Sequence, residues 1–284
     1  MKTPSNDAIN DDSVQSPSHA WRRALLSPTL LLDVVVIGLM AGLPNFVLPQ
    51  HVRPVPVQNV NGTWVHVFVY DAPLASDTYT YTLNDSALLV FTLLGPLAVA
   101  IILSVVSPAR GAVKAWLHSF LWMFGTTEMI VSCLKAYCGY MRPYFLEECG
   151  FSDALGTCTS IGTSMTGYER GFRSFPSGHA SNSASTMVHT SLRLMGALRV
   201  GHVPRKVPLG RSGLELELDG LLTLLCLVPI LLAAWIAGSR VHNNSHHPAD
   251  VVGGALIGGS MAVLYYTRYF QALFGPDSHR PRQP

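Results

Sequence analysis

Residues 178–196 read GHASNSASTMVHTSLRLMG, and whether this stretch crosses a membrane decides the fold. It carries Ser181, Asn182, Ser183, Ser185, Thr186, His189 and Thr190, too polar a set for hydropathy alone to mark as a span. Small and hydroxyl residues nevertheless suit a helix inside a bundle, where backbones approach closely and hydroxyls find partners. Around it lie five apolar stretches near the length that crosses a bilayer, about 20 residues: 28–48, 86–107, 113–136, 219–238 and 249–270. With 178–196 counted, the expected fold is all-α, an integral membrane bundle of six transmembrane helices.

Composition points the same way. Charged residues are 13% of the 284, against about 25% in an ordinary soluble domain. A net charge of +2, with no basic helix or finger pattern, gives no reason to expect a nucleic-acid partner. Six spans with a cytoplasmic N-terminus place only Arg53, Lys135, Arg142, Arg170, Arg173 and Arg240, of 19 Lys and Arg, on the outer side. That bias obeys the positive-inside rule. The sequons Asn61-Gly-Thr63 and Asn84-Asp-Ser86 fall outside as well.

The expected organisation is a disordered cytoplasmic tail at 1–27, a membrane domain at 28–270 and a second cytoplasmic tail at 271–284. No cleavable signal is visible, so the first apolar run reads as a retained anchor. The stretch 197–218 reads as a basic connector, and Gly253-Gly254 and Gly258-Gly259 as close-packing positions in the last helix. Cys149 and Cys158 flank a short polar loop and either pair there or stand as separate thiols. Asp33 and Glu128, inside apolar runs, call for structural partners. Trp64, Tyr70, Tyr79 and Tyr81 read as interfacial anchors.

Cations at membrane depth are costly unless they serve a site or reach water, and here they gather in three clusters. In KAYCGYMRP, Lys135 and Arg142 stand about two helical turns apart and are expected on one helix face, with Pro143 ending the helix. Taken alone, the pair also fits snorkelling at a helix end. Next, Pro176, Ser177 and Gly178 open the fourth helix, so free N–H groups and the positive helix end form an anion site. His179, in the first turn, is placed to hand over a proton. A plain helix cap would look the same. In SRVHNNSHHPAD, Asp250 lies four residues after His246 and can hold its imidazole in one tautomer. Arg240 adds a planar fork for phosphate oxygens, and His242 and His247 read as bystanders. If 178–196 spans, all three clusters share the extracytoplasmic face.

Lys135 with Arg142-Pro143, Ser174 with Pro176-Ser177-Gly178-His179, and Ser239-Arg240 with His246 and Asp250 resemble the three-part signature of the type 2 phosphatidic acid phosphatase superfamily. Their order and the six-helix layout are similar to its lipid phosphate phosphatase branch over roughly 28–270. The resemblance implies metal-independent hydrolysis of lipid phosphomonoesters such as phosphatidic acid, or of diacylglycerol pyrophosphate, at an outer or lumenal surface. It implies His246 as the nucleophile that forms a phosphohistidine, Asp250 as its orienting partner and His179 as the acid. Lys135, Arg142, Arg240, Ser177 and the Gly178 backbone would hold the phosphate. No cofactor is expected, and Glu147-Glu148 reads as a solvated pair and not a Mg²⁺ site. The expected partners are a phospholipid substrate and the membrane itself, with homo-oligomerisation open. A headgroup phosphotransferase using the same histidine, or a membrane protein that only binds phospholipid, are the alternatives.

Overall fold

The computed structural model describes residues 16–51, 53, 57–66, 84–152, 154–155, 157–159, 171–202, 205–208 and 215–282. The chain begins with α1 (Pro17–Leu25) and α2 (Pro28–Val47), then a hairpin of β1 (Val57–Val60) and β2 (Thr63–His66). A short α3 (Asp85–Leu89) runs through a π-helical turn at Val90–Leu94 into α4 (Gly95–Val106), followed by α5 (Ala112–Cys138). A compact loop holds α6 (Phe145–Glu148), β3 (Phe151–Ser152) and β4 (Thr157–Cys158). Then come α7 (Gly178–Ala197), the hairpin β5 (Lys206–Pro208) and β6 (Glu215–Glu217), α8 (Leu218–His242) and α9 (Pro248–Tyr269). The strands form only three separate antiparallel pairs among the described residues, so the architecture is helical.

The polar stretch that decides the fold is a continuous helix, and it is the central one. α7 packs on α5, α8 and α9 and buries Ser181, Ser183, Ser185, Thr186, His189 and Thr190. Several of its hydroxyls are satisfied locally: Thr186 donates to the Asn182 carbonyl at 2.8 Å and Thr190 to the Thr186 carbonyl at 2.7 Å. His189 Nε2 meets Ser119 Oγ of α5 at 3.0 Å. Hydroxyls bonded back to the preceding turn let a polar helix sit in the interior, while Asn182 Oδ1, His189 Nδ1 and Ser191 Oγ find no partner among the described residues.

Small residues set the closeness of α7 to α9. A Cβ at Gly254 would overlap the Ser177 carbonyl oxygen, and one at Gly258 the Ser181 carbonyl oxygen. Gly253 instead makes room for the Phe175 ring, while Gly259 faces open space. Below this seam, Trp116, Phe120 and Met123 of α5 form a core with Ala262, Tyr266 and Phe270.

Four helical segments, Pro28–Val47, Ser86–Val106, Leu218–His242 and Pro248–Tyr269, are long and apolar enough to cross a membrane among the described residues. They turn Leu31, Leu39, Ile102, Leu224, Leu231 and Leu256 outward, side chains that suit contact with lipid. α5 and α7 fall short on apolar content, through Lys114, His118, Glu128 and Lys135 in one and the hydroxyl series in the other. Asp33 of α2 finds the expected structural partner in His118 Nδ1 of α5.

Several local expectations differ from the structure. Lys135 and Arg142 do not share a helix. Gly139, at φ 54°, ends α5 in the left-handed conformation, and a Cβ there would overlap the His51 carbonyl. Residues 17–25, read as tail, form α1, whose Trp21 packs edge-on against Trp116. The C-terminal stretch folds back, with Arg282 N–H donating to the Tyr269 carbonyl at 2.8 Å and Ser278 Oγ to the Gly196 carbonyl at 3.0 Å. The 197–218 connector contains the β5–β6 hairpin. Cys149 and Cys158 are joined in a disulfide. Asn61 and Gly62 turn the first hairpin, and Asn84 caps α3 through the Ala87 amide at 2.8 Å. Tyr70, Tyr79, Tyr81, Arg170 and the side chains of Trp64, Glu147 and Glu148 lie outside the described residues.

Candidate active site

The site is assembled where α7 and α9 begin and α5 ends. Ser177 caps α7 with its side chain accepting from the Ala180 amide, and its own N–H donates to the Asp250 carbonyl at 2.9 Å. The two helix starts are thereby fastened to each other. A helix beginning is a favourable setting for an anion.

Asp250 is fully buried, and its Oδ2 is the hub. It accepts from Ser174 Oγ at 2.5 Å and from the His247 backbone N–H at 2.9 Å, and lies 3.6 Å from His246 Nδ1. The i, i+4 relation predicted from sequence is therefore realised, although His246 itself sits in the turn before α9 and not within it. The turn is held by Arg240: the Ser245 and His246 amides donate to its carbonyl at 3.0 and 3.2 Å. Burial pushes the His246 imidazole down to about 3, aided by the positive charges of Arg142 and Lys135 and opposed by Asp250. A neutral imidazole with one nitrogen turned to a carboxylate keeps the other free as a nucleophile.

Lys135 and Arg142 lie near enough to act on the His246 charge, and Arg240 stands on the last turn of α8. Lys135, on the last turns of α5, brings its Nζ to 3.4 Å from where a Cβ on Gly178 would stand. Gly178 is thus the position that admits an ammonium group beside the N-terminus of α7. Arg142 lies in the loop after α5, its amide donating to the Gly171 carbonyl at 2.8 Å and its guanidinium to Tyr144 Oη at 3.1 Å. Arg240 is only 2% exposed and donates from Nε and Nη2 to Ser239 Oγ at 3.1 and 2.9 Å. His179 occupies the first turn of α7, half-buried, directly after Gly178. Arg173 donates to Asn45 Oδ1 at 2.6 Å.

Two contributors receive no role from the sequence, although Ser174 belongs to the signature quoted above. Ser174 reaches Asp250 across 76 positions, and no spacing rule relates them. His247, read as a bystander, is buried and links its Nε2 to the Met141 carbonyl at 3.1 Å. It joins the loop after α5 to the start of α9, so the arginine loop and the histidine turn share one support. Among the described residues no three His, Cys, Asp or Glu side chains gather into a metal-binding cluster.

These features define an integral membrane protein with a buried His–Asp pair set among cations at a helix N-terminus. The chain belongs to the PAP2 superfamily, whose profile matches residues 116–273. It is 34% identical over 167 residues to lipid phosphate phosphatase 2 of Arabidopsis thaliana, covering 55% of this chain and 51% of that protein. It is 30% identical over 214 residues to diacylglycerol pyrophosphate phosphatase 1 of Saccharomyces cerevisiae, covering 71% and 69%. A PA-phosphatase related-family protein of Dictyostelium discoideum is 28% identical over 92% of this chain and 85% of its own length. The chain thus spans about half of the Arabidopsis protein and more of the other two. No solved structure matches it.

Proposed function

We propose that this protein is a metal-independent lipid phosphate phosphatase acting on phosphatidic acid or related lipid phosphates, diacylglycerol pyrophosphate included. The observation that carries the reading is the meeting of Lys135, the start of α7 and the Asp250–His246 pair in one place. The names of the yeast and Arabidopsis relatives supply the substrate class. In this reading all six long helices cross the bilayer, α5 and α7 shielded by the other four. The site then faces the extracytoplasmic or lumenal side. The charge bias and the Cys149–Cys158 disulfide in the loop beside the site support that side.

The proposed reaction divides among these residues. Lys135, Arg142, Arg240 and the amides at the start of α7 receive the phosphate oxygens. His246 Nε2 attacks phosphorus while the bond to the lipid oxygen breaks and His179 gives that oxygen its proton. Asp250 stabilises the charge that develops on the imidazole. Water then attacks the phosphohistidine, His179 takes its proton, the P–N bond breaks and inorganic phosphate leaves. Replacing His246 by Ala is expected to lower kcat by at least about 10⁴-fold while leaving expression intact. Phosphate release from phosphatidic acid micelles measures it, and near-normal release would overturn the reading. Wild-type turnover is expected to persist in EDTA.

A further inference from the structure

At the other end of the same helices lies a cavity of about 780 Å³, within the usual range for small-molecule sites. Arg193 on its wall stands 15 residues after Gly178 along α7, about 22 Å at the rise of a helix. Tyr269, also on its wall, stands 19 residues after Asp250 along α9, about 28 Å by the same rise. The cavity is therefore separate from the phosphate site by most of a bilayer thickness.

Its lining is strongly one-signed. Arg110, Lys114, Arg193, Arg280 and Arg282 contribute to the wall, and no carboxylate does among the described residues. Asp277 neutralises part of Arg280 from outside, at 3.6 Å, and Asp33 is taken up by His118. Arg193 is 4% exposed, yet among the described residues its hydrogen bond is to the His279 carbonyl at 3.5 Å and it packs on the face of Phe270 at 4.5 Å, with no carboxylate paired to it. A guanidinium buried without an anion is costly. His118 Nε2 and His279 Nδ1, both on the wall, are buried and make no hydrogen bond among the described residues. Burial and the nearby Arg199 and Arg280 hold the His279 imidazole below its ordinary range, a sign of the positive field there. Trp21, Leu103 and Trp116 form an apolar side next to these groups.

Cations and unmet donors beside an indole-lined apolar wall, at a membrane boundary, recognise an anionic amphiphile. We propose that this cavity binds the phosphate-bearing headgroup of an anionic phospholipid in the leaflet opposite the catalytic site, as a second, non-catalytic lipid site. The acyl chains would run along Leu103 and Trp116 while the headgroup meets Arg193 at the floor and Arg110 and Lys114 at the rim. This goes beyond the phosphatase reading and stands without it.

The test uses the full-length protein in neutral detergent micelles with phosphatidylglycerol, a phosphodiester that a monoesterase does not consume. Native mass spectrometry follows bound lipid, and tryptophan fluorescence reports on Trp21 and Trp116. Phosphatidylglycerol is expected to bind about tenfold more tightly than phosphatidylcholine, and Arg110→Glu with Lys114→Glu to erase that preference. Both rim residues are exposed, so the double variant should keep its melting temperature and its hydrolysis of a soluble phosphomonoester. Arg282→Gln gives an independent reduction if the double variant is poorly expressed. Equal binding of the two lipids, or a preference that survives in the rim variants, would overturn the proposal. So would displacement of the lipid by millimolar inorganic phosphate, which would identify a free anion as the ligand.

Discussion

The His246 imidazole is neutral because it is buried among cations, and this gives the protein a particular dependence on pH. An ordinary histidine takes its proton near pH 6.5, whereas this one holds off until about 3. In the unfolded chain the ring protonates first as pH falls. The stabilisation it contributes is therefore complete above about pH 6.5 and disappears progressively toward pH 3. The melting temperature is expected to fall as pH drops from 7 to 4, and less steeply in His246→Asn. A variant with the same slope as wild type would assign the acid sensitivity elsewhere. Ser174 acts one step back, holding the carboxylate that faces the ring. Ser174→Ala removes a charge-assisted hydrogen bond, with an expected loss of about tenfold in kcat and little change in KM. A rise in KM alone would place Ser174 in substrate binding instead.

Among the elements, α7 and α9 show how much of the fold was legible. The hydroxyl-rich run and the glycine pairs pointed to a buried, closely packed helix pair, realised at the hydroxyls and at Gly253, Gly254 and Gly258 but not at Gly259. What periodicity misjudged was the end of α5. Two cations seven residues apart suggest one helical face, but Gly139 stops the helix first and Arg142 reaches the site from a loop. Gly139 is a local stop signal of its own, and the spacing of the two cations reads past it. The seam itself is testable. Gly258→Val forces a side chain into the Ser181 backbone and is expected to destabilise the protein by about 2–4 kcal/mol. Gly259→Ala faces open space and should be neutral or slightly stabilising through helix propensity. Equal melting temperatures for the two variants would mean the seam tolerates separation.

At the scale of the molecule, the three clusters belong to one surface only if α7 crosses completely. Single cysteines at His51 and Lys206, with Cys133, Cys138 and Cys226 replaced by Ser, should label from opposite faces of sealed vesicles. Labelling of both from one face would undo the six-span arrangement. The membrane class was legible from composition. The folding of the terminal stretches back onto the bundle was not, because Trp21 against Trp116 and Ser278 against Gly196 are contacts between segments that look polar and free when read singly. Asp250 joins these scales. The carboxylate proposed to support the reaction belongs to a residue whose own backbone and side chain latch two helices and a turn. A descendant of this scaffold that abandoned hydrolysis would shed His246 at little architectural cost, yet would have to retain the aspartate or rebuild both helix beginnings. Retired copies of such an enzyme would then be recognisable by a keystone that has outlived its chemistry.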